Sequence, residues 1–233
     1  QLLRASGEFE VALADFVSVS GGLALERSVQ TLHVAEDGEG TVTAIEAETL
    51  QFGGVDLQGF VGIGEPGVDS DGDGVVQADE YAAGSIGLGV DGVDFGFVLA
   101  TAKADAAHSY GGQRWLAGTA EVAQAITPVG LPQTTVLDLR DLGVELNLGL
   151  DSNKALDFGT VLDAAGEVLE DRRLAVPVAT GQFRTLDLSG ARGELLRAYG
   201  SAEINLGDAL VIGGTVGMER SSPTLQVTGE ADP

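Results

Sequence analysis

The chain has 233 residues, 35 of them glycine, with 44% apolar side chains, 5% aromatic ones and no cysteine. That length serves one large domain or two small ones, and so few bulky side chains among so many glycines favour many short-turned strands over a helical bundle. Twelve basic residues against 36 acidic ones leave a formal charge of −24, a field that repels nucleic acid and anionic membranes and attracts divalent cations.

Adaptation to high salt produces the same acidity. The absence of cysteine removes disulfides as staples, a part that calcium can take in an extracellular protein. No run of 18 apolar residues exists, so no membrane insertion is expected. The chain opens on Gln1 without a signal-peptide pattern, and is read as an excerpt or processed product of something longer.

From the first residues onward, apolar side chains alternate with polar ones. Phe9, Val11 and Leu13 share a face, then Val17 and Val19, then Leu23 and Leu25. Period-two alternation predicts antiparallel strands with one wet face. His33 falls in such a strand and reads as a surface-facing side chain rather than a catalytic base. Turns are expected at Asp37-Gly38, Gly53-Gly54, Asp91-Gly92, Gly111-Gly112, Pro128 to Pro132, Ala165-Gly166 and Gly190.

Residues Asp69–Glu80 read D-S-D-G-D-G-V-V-Q-A-D-E. Carboxylates stand at positions 1, 3, 5 and 12, glycine at 6 and an apolar residue at 8, the EF-hand calcium pattern. Calcium takes six to eight oxygens at roughly 2.3–2.6 Å. The expected ligands are one oxygen each from Asp69, Asp71 and Asp73, the Val75 carbonyl, Gln77 directly or through water, and both oxygens of Glu80. Gly74 permits the sharp turn. A polar Asp-Gly turn would explain Asp71 to Gly74, but not Glu80 at the twelfth place or Val76 at the eighth.

The flanks differ from a full hand. Val61–Val68 is too rich in glycine and proline for the entering helix. Gln77–Ala83 could form about two helical turns before Gly84. A lone loop suits a static structural calcium better than a sensor, which needs paired hands and a movable helix.

Further along, His108 and Tyr110 belong to a loop. Trp115 and Tyr110 could stack on a sugar, although packing explains them better. Leu116–Ile126 fits either a helix or a strand. Leu142, Val144, Leu146 and Leu148 alternate strictly. Asp151, Asn153 and Asp157 hint at a second calcium loop, but lack its glycine and its twelfth-position acid. Glu170-Asp171 beside Arg172-Arg173 reads as a solvated charged turn. The chain holds no G-x-S-x-G, H-E-x-x-H or Walker motif, so no enzyme is expected.

The ends of the chain repeat each other. Leu2–Val34 aligns without a gap on Leu195–Val227 at an offset of 193, with 15 identities in 33 positions. They include LLRA, Gly7 with Gly200, Asp15 with Asp208, Gly21 with Gly214, and Glu26-Arg27-Ser28 with Glu219-Arg220-Ser221. The favoured explanation is a tandem array, with residues 1–194 as one unit and 195–233 as the start of the next. A duplication packed within one compact domain is the alternative. A shorter recurrence, an aspartate followed by apolar alternation, begins at Asp15, Asp56, Asp94, Asp141 and Asp208. Sub-repeats and simple convergence on a strand pattern explain it equally well.

The segments Phe16–Ser28 (F-V-x-V-S-G-x-L-A-L-E-R-S), Gly87–Leu99 and Asp69–Glu80 together resemble long repeat units of giant secreted bacterial surface proteins, with a dockerin-like calcium loop. The resemblance implies an extracellular or cell-surface location and an adhesin, surface-layer or biofilm role. The nonapeptide calcium repeats of many such exoproteins are missing, which argues against a parallel β-roll. The expected fold is all-β, mainly antiparallel, an elongated meander or β-solenoid-like unit with one inserted calcium loop and at most one or two short helices; a β-sandwich is the alternative. The expected partners are neighbouring copies of the same repeat, with surface glycans second. A polysaccharide-binding or polysaccharide-degrading module and a self-assembling filament subunit are the other functional readings.

Overall fold

The computed structural model describes residues 2–13, 17–36, 41–73, 75–104, 109–131, 135–206 and 210–222. Several sequence expectations lie outside them: Asp15, Phe16, the Asp37-Gly38 turn, Gly74, His108, Pro132, Asp208 and the end of the second copy from Thr224. Among the described residues no helix is long and apolar enough to cross a membrane.

The alternating segments form long antiparallel strands. They are β1 (Leu3–Leu13), β2 (Val17–Ala35), β3 (Val42–Ile63), β4 (Ile86–Ala102), β5 (Arg114–Val129) and β6 (Thr135–Gly149). After them come the short strands β7 (Thr160–Leu162), β8 (Val168–Asp171), β9 (Leu174–Ala179) and β10 (Gln182–Leu186), and then β11 (Glu194–Leu206) and β12 (Leu210–Ser222). One eight-stranded sheet runs β1-β2-β3-β4-β5-β6-β11-β12, while β7-β8 and β9-β10 are separate hairpins. The fold is therefore all-β, an antiparallel meander. Leu116–Ile126 lies within β5, so the strand alternative holds there.

Two expected turns lie inside strands. Gly53-Gly54 belongs to β3 and Asp91-Gly92 to β4. A Cβ on Gly53 would sit 2.6 Å from the Pro177 carbonyl oxygen of β9, so this glycine marks a close approach rather than a reversal. Gly92, at φ 67°, occupies a β-bulge between Asp91 and Val93. Matching bulges put Asp56-Leu57 of β3 opposite Gly21 of β2 and Asp141-Leu142 of β6 opposite Gly200 of β11, and the β3-β4 register shifts between Gly54 and Gly59. They fall side by side and form a line of bends across the sheet, since each extra residue bends its strand and increases the local twist. Asp56 and Asp141 sit on that line with φ 52° and 53°, a left-handed conformation that aspartate tolerates better than most residues. The recurrent aspartates thus have a structural counterpart at these two positions.

The segment between β6 and β11 folds back over one face of the sheet. Leu156, Phe158, Leu174, Val176, Leu186 and Leu188 pack there against Leu32, Val34, Ile45, Val98, Trp115 and a floor of Ala47, Ala100, Ala102 and Ala117. The alanines let this covering layer lie close, and burying its large side chains stabilises the two layers by roughly 1.5–3 kcal/mol each. Asn147 of β6 joins them by polar contact. Its amide donates to the Leu156 carbonyl (2.7 Å) and accepts from the Leu156 N–H (3.1 Å), reproducing a strand ladder with a side chain. Leaving either Leu156 group unpaired while buried would cost about 1–3 kcal/mol.

Candidate metal centre

The loop from Gly64 to Ser85 joins the paired ends of β3 and β4, where Ile63 faces Ile86. Its polar rim rests on a small apolar base of Val76, Tyr81, Phe60 and Val129, all buried. The Tyr81 and Phe60 rings are 5.3 Å apart. Gly89 lies directly beneath Tyr81, where a Cβ would meet the ring hydroxyl at 1.9 Å. Gly89 therefore lets the hydroxyl end of the Tyr81 ring approach the sheet closely. Burial pushes the Tyr81 phenol up to about 12, helped by the charges of Asp91 and Glu80.

Above this base the loop turns around its own carboxylates. Asp69 accepts the Gly72 N–H (2.7 Å), Asp71 the Asp73 N–H (3.1 Å) and Asp73 the Val75 N–H (2.9 Å). These short-range bonds are the Asx type that favours turns. They bring Asp69, Asp71 and Asp73 together, with a carboxylate oxygen of each lying within 4.8 Å of the others. The Gln77 side-chain amide donates to Asp73 (3.1 Å) and Asp71 (3.4 Å) from within this cluster. Four of the six expected ligands thus converge: Asp69, Asp71, Asp73 and Gln77.

Glu80 stands apart from the triad. Its Oε1 accepts the Ser70 N–H (2.6 Å) and hydroxyl (2.5 Å), and its Oε2 accepts the Gln77 N–H (2.9 Å). The Ser70 hydroxyl, with the Gln77 and Ser70 N–H groups, pulls its carboxyl down to about 2. Here Glu80 ties the two ends of the loop together. The helix expected over Gln77–Ala83 is a single 3-10 turn, Ala78–Glu80.

Sequence reasoning missed Asp91, which lies on β4 behind the loop, 1% exposed. It accepts the backbone N–H of Val76, the eighth loop residue, while its Oδ2 has no partner. Burial raises its pKa, and the charges of Asp69, Glu80 and Asp73 add to the rise against the Val76 N–H. The Asp91-Gly92 dipeptide gave a turn signal, and a buried carboxylate facing a remote loop has no local signature.

The other sequence candidates have structural duties. Asp151 pairs with Arg114 through two hydrogen bonds of 2.9 and 3.0 Å. Asp157 accepts from Arg172 (2.8 Å) and from the Gly190 N–H (2.8 Å). The two aspartates of the hinted second calcium loop are thus engaged by two different arginines. Arg172 is largely buried, in contrast to the solvated turn expected of it. His33 faces Glu170 at 3.3 Å. Trp115 is fully buried, donates to the Lys154 carbonyl (3.0 Å) and meets Tyr110 edge-on at 6.0 Å, so both rings are core and not a sugar platform.

Comparison with known proteins finds no matching family model, no matching curated protein and no matching solved structure.

Proposed function

We propose that this chain is a structural repeat of an extracellular bacterial fibre, adhesin or surface layer, rigidified by calcium at the Asp69–Glu80 loop. The observation that carries the repeat reading is the pairing of the two similar end segments. In β1-β2, Leu3 faces Arg27 and Leu13 faces Val17. In β11-β12, Leu196 faces Arg220 and Leu206 faces Leu210. Each of the second pairs is the first shifted by 193. Two copies in the same register are what a tandem unit requires, because a one-residue slip would turn every side chain to the other face.

The calcium reading rests on the chemistry of the loop. Hard carboxylate and amide oxygens suit calcium, and a divalent charge at the centre of three clustered carboxylates would offset their mutual repulsion. Asp69, Asp71, Asp73, Gln77 and the Val75 carbonyl would hold the ion, with Glu80 entering by exchanging its bonds to Ser70 and Gln77 for the metal. Extracellular sites of this kind bind at roughly 10⁻⁴–10⁻³ M. Calcium at about 100 times its dissociation constant should then raise stability by roughly 2.7 kcal/mol. Calorimetry and thermal melts with calcium and with EDTA test this. Binding should disappear in Asp71→Asn, and in Glu80→Ala if Glu80 joins the ion. No heat of binding and no shift in melting temperature for the native chain would reject the calcium site.

A further inference from the structure

We infer that the outer edge of β1 is a docking edge for the β6 strand of a preceding unit, so that successive units merge into one continuous sheet. This rests on the tandem-repeat reading and names the contact between units. Within this chain β11 already shows the contact. It pairs antiparallel with β6, Leu195 facing Asn147, Arg197 facing Glu145, Ala198 facing Val144 and Tyr199 facing Gly143. Past Gly200, which opposes the Asp141-Leu142 bulge of β6, the register resumes with Ser201 facing Arg140. Because β1 is the counterpart of β11 at an offset of 193, the same register places Leu2 against Asn147, Arg4 against Glu145 and Ala5 against Val144 of the preceding unit. Gly7 would oppose the Asp141-Leu142 bulge, and Glu8 would face Arg140.

Three further observations agree with that docking. Arg197 donates to Glu145 across the β6-β11 boundary at 3.3 Å, and its counterpart Arg4 is retained. The residue facing Arg140 becomes an acid in the first copy, so this opposition gains a favourable charge pair. Leu2 is 64% exposed, whereas its counterpart Leu195 is 3% exposed beside β6. An edge of unpaired backbone groups with exposed leucines is a template for pairing with another strand, and among the described residues β1 is such an edge. Each unit then contributes six strands, β1 to β6, and advances the sheet by roughly 29 Å at about 4.8 Å per strand. The covering layer of β7 to β10 recurs once per unit on the same face.

The test is a duplicated chain in which residues 1–194 are followed by residues 2–233, with cysteine pairs introduced into this cysteine-free sequence. Val144→Cys in the first copy with Ala5→Cys in the second should form a disulfide. The reference is the single 233-residue chain carrying Val144→Cys and Ala198→Cys, whose strands already pair. The inter-copy yield should come within about twofold of that reference, and moving the first cysteine one residue to Gly143→Cys should lower it sharply, since disulfides tolerate Cα separations of only about 4.4–6.8 Å and fixed Cβ directions. The duplicated chain should also melt in one transition. Failure of the Val144–Ala5 pair to close while the reference closes would overturn the inference, as would equal yields in both registers. In the single 233-residue chain carrying Ala5→Cys alone, disulfide-linked dimers would assign the edge to the β1 of a second molecule and overturn it too. Calcium binding is read separately, so a chain that binds calcium but does not close the inter-copy pair keeps the structural-repeat reading and loses only the merged sheet.

Discussion

The hairpins β1-β2 and β11-β12 share sequence and register, yet stand in opposite surroundings. In the first, the inner strand is β2, paired with β3 and roofed by β9, while β1 is an open edge. In the second, the inner strand is β11, paired with β6, while β12 is the open edge among the described residues. The same residue type therefore appears once covered and once bare. Leu195 is buried where Leu2 is not, and Glu26 is buried beside Arg4 where Glu219 is exposed. Register within a hairpin is thus a property of the local sequence, and burial is a property of the neighbours. Each hairpin displays the half of the environment that the other lacks, which is why the two together outline how one unit continues into the next.

The largest effect should come from truncating the same leucine in both copies. Leu195→Ala removes a buried side chain and should cost about 2–4 kcal/mol, within the range for large-to-small core changes. Leu2→Ala should cost under about 0.5 kcal/mol, as exposed substitutions do. Urea denaturation of the two variants measures the contrast. Equal losses would mean that the copies share one environment after all.

A smaller contrast is expected for the repeated ion pair. Arg4 Nε donates to Glu26 at 2.7 Å, with the glutamate enclosed and the arginine partly open, while Arg197 and Glu219 stand 4.0 Å apart in the open. Glu26→Gln should cost about 1–2 kcal/mol, discounted from the fully buried case because Arg4 reaches solvent. Glu219→Gln should cost under about 0.5 kcal/mol. Double-mutant cycles with Arg4→Met and Arg197→Met would isolate the two coupling energies.

Acid should separate the copies at the level of local motion. Glu36 follows β2 and accepts hydrogen bonds from Thr43 and Tyr110, each 2.6 Å, and from Lys154. Burial pushes its carboxyl up, but these bonds and the Lys154 charge outweigh it and bring it down to about 2 from an ordinary 4.5. A carboxyl lowered on folding contributes stability that is complete above pH 4.5 and is lost as the pH falls toward 2. The opening constant at the Ala35 and Glu36 end of β2, read as the exchange rate divided by the intrinsic rate at each pH, should therefore rise over that window, earlier than in β11. Glu36→Gln should remove the dependence at this site. An opening constant unchanged there between pH 5 and 3 would show that the network does not hold the strand end.

Much of this was legible without coordinates because strand alternation and repeat register are local. The period-two patterns of Leu142 to Leu148 and of the end segments mark strands, and the gapless offset of 193 carries the equality of the two hairpins. The loop's spacing of acids likewise predicts their convergence, since each aspartate bonds a backbone N–H two or three residues ahead. What the tertiary structure alone decided depends on partners distant in sequence. Gly53-Gly54 and Asp91-Gly92 carry the composition of turns, and only β9 above Gly53 and the bulge at Gly92 place them inside strands. Trp115 becomes core because the segment after β6 folds back over it, and Asp91 faces the loop because β4 passes beneath Val76. Composition and spacing determine which backbone shape a segment can take; long-range packing determines which side of it meets water.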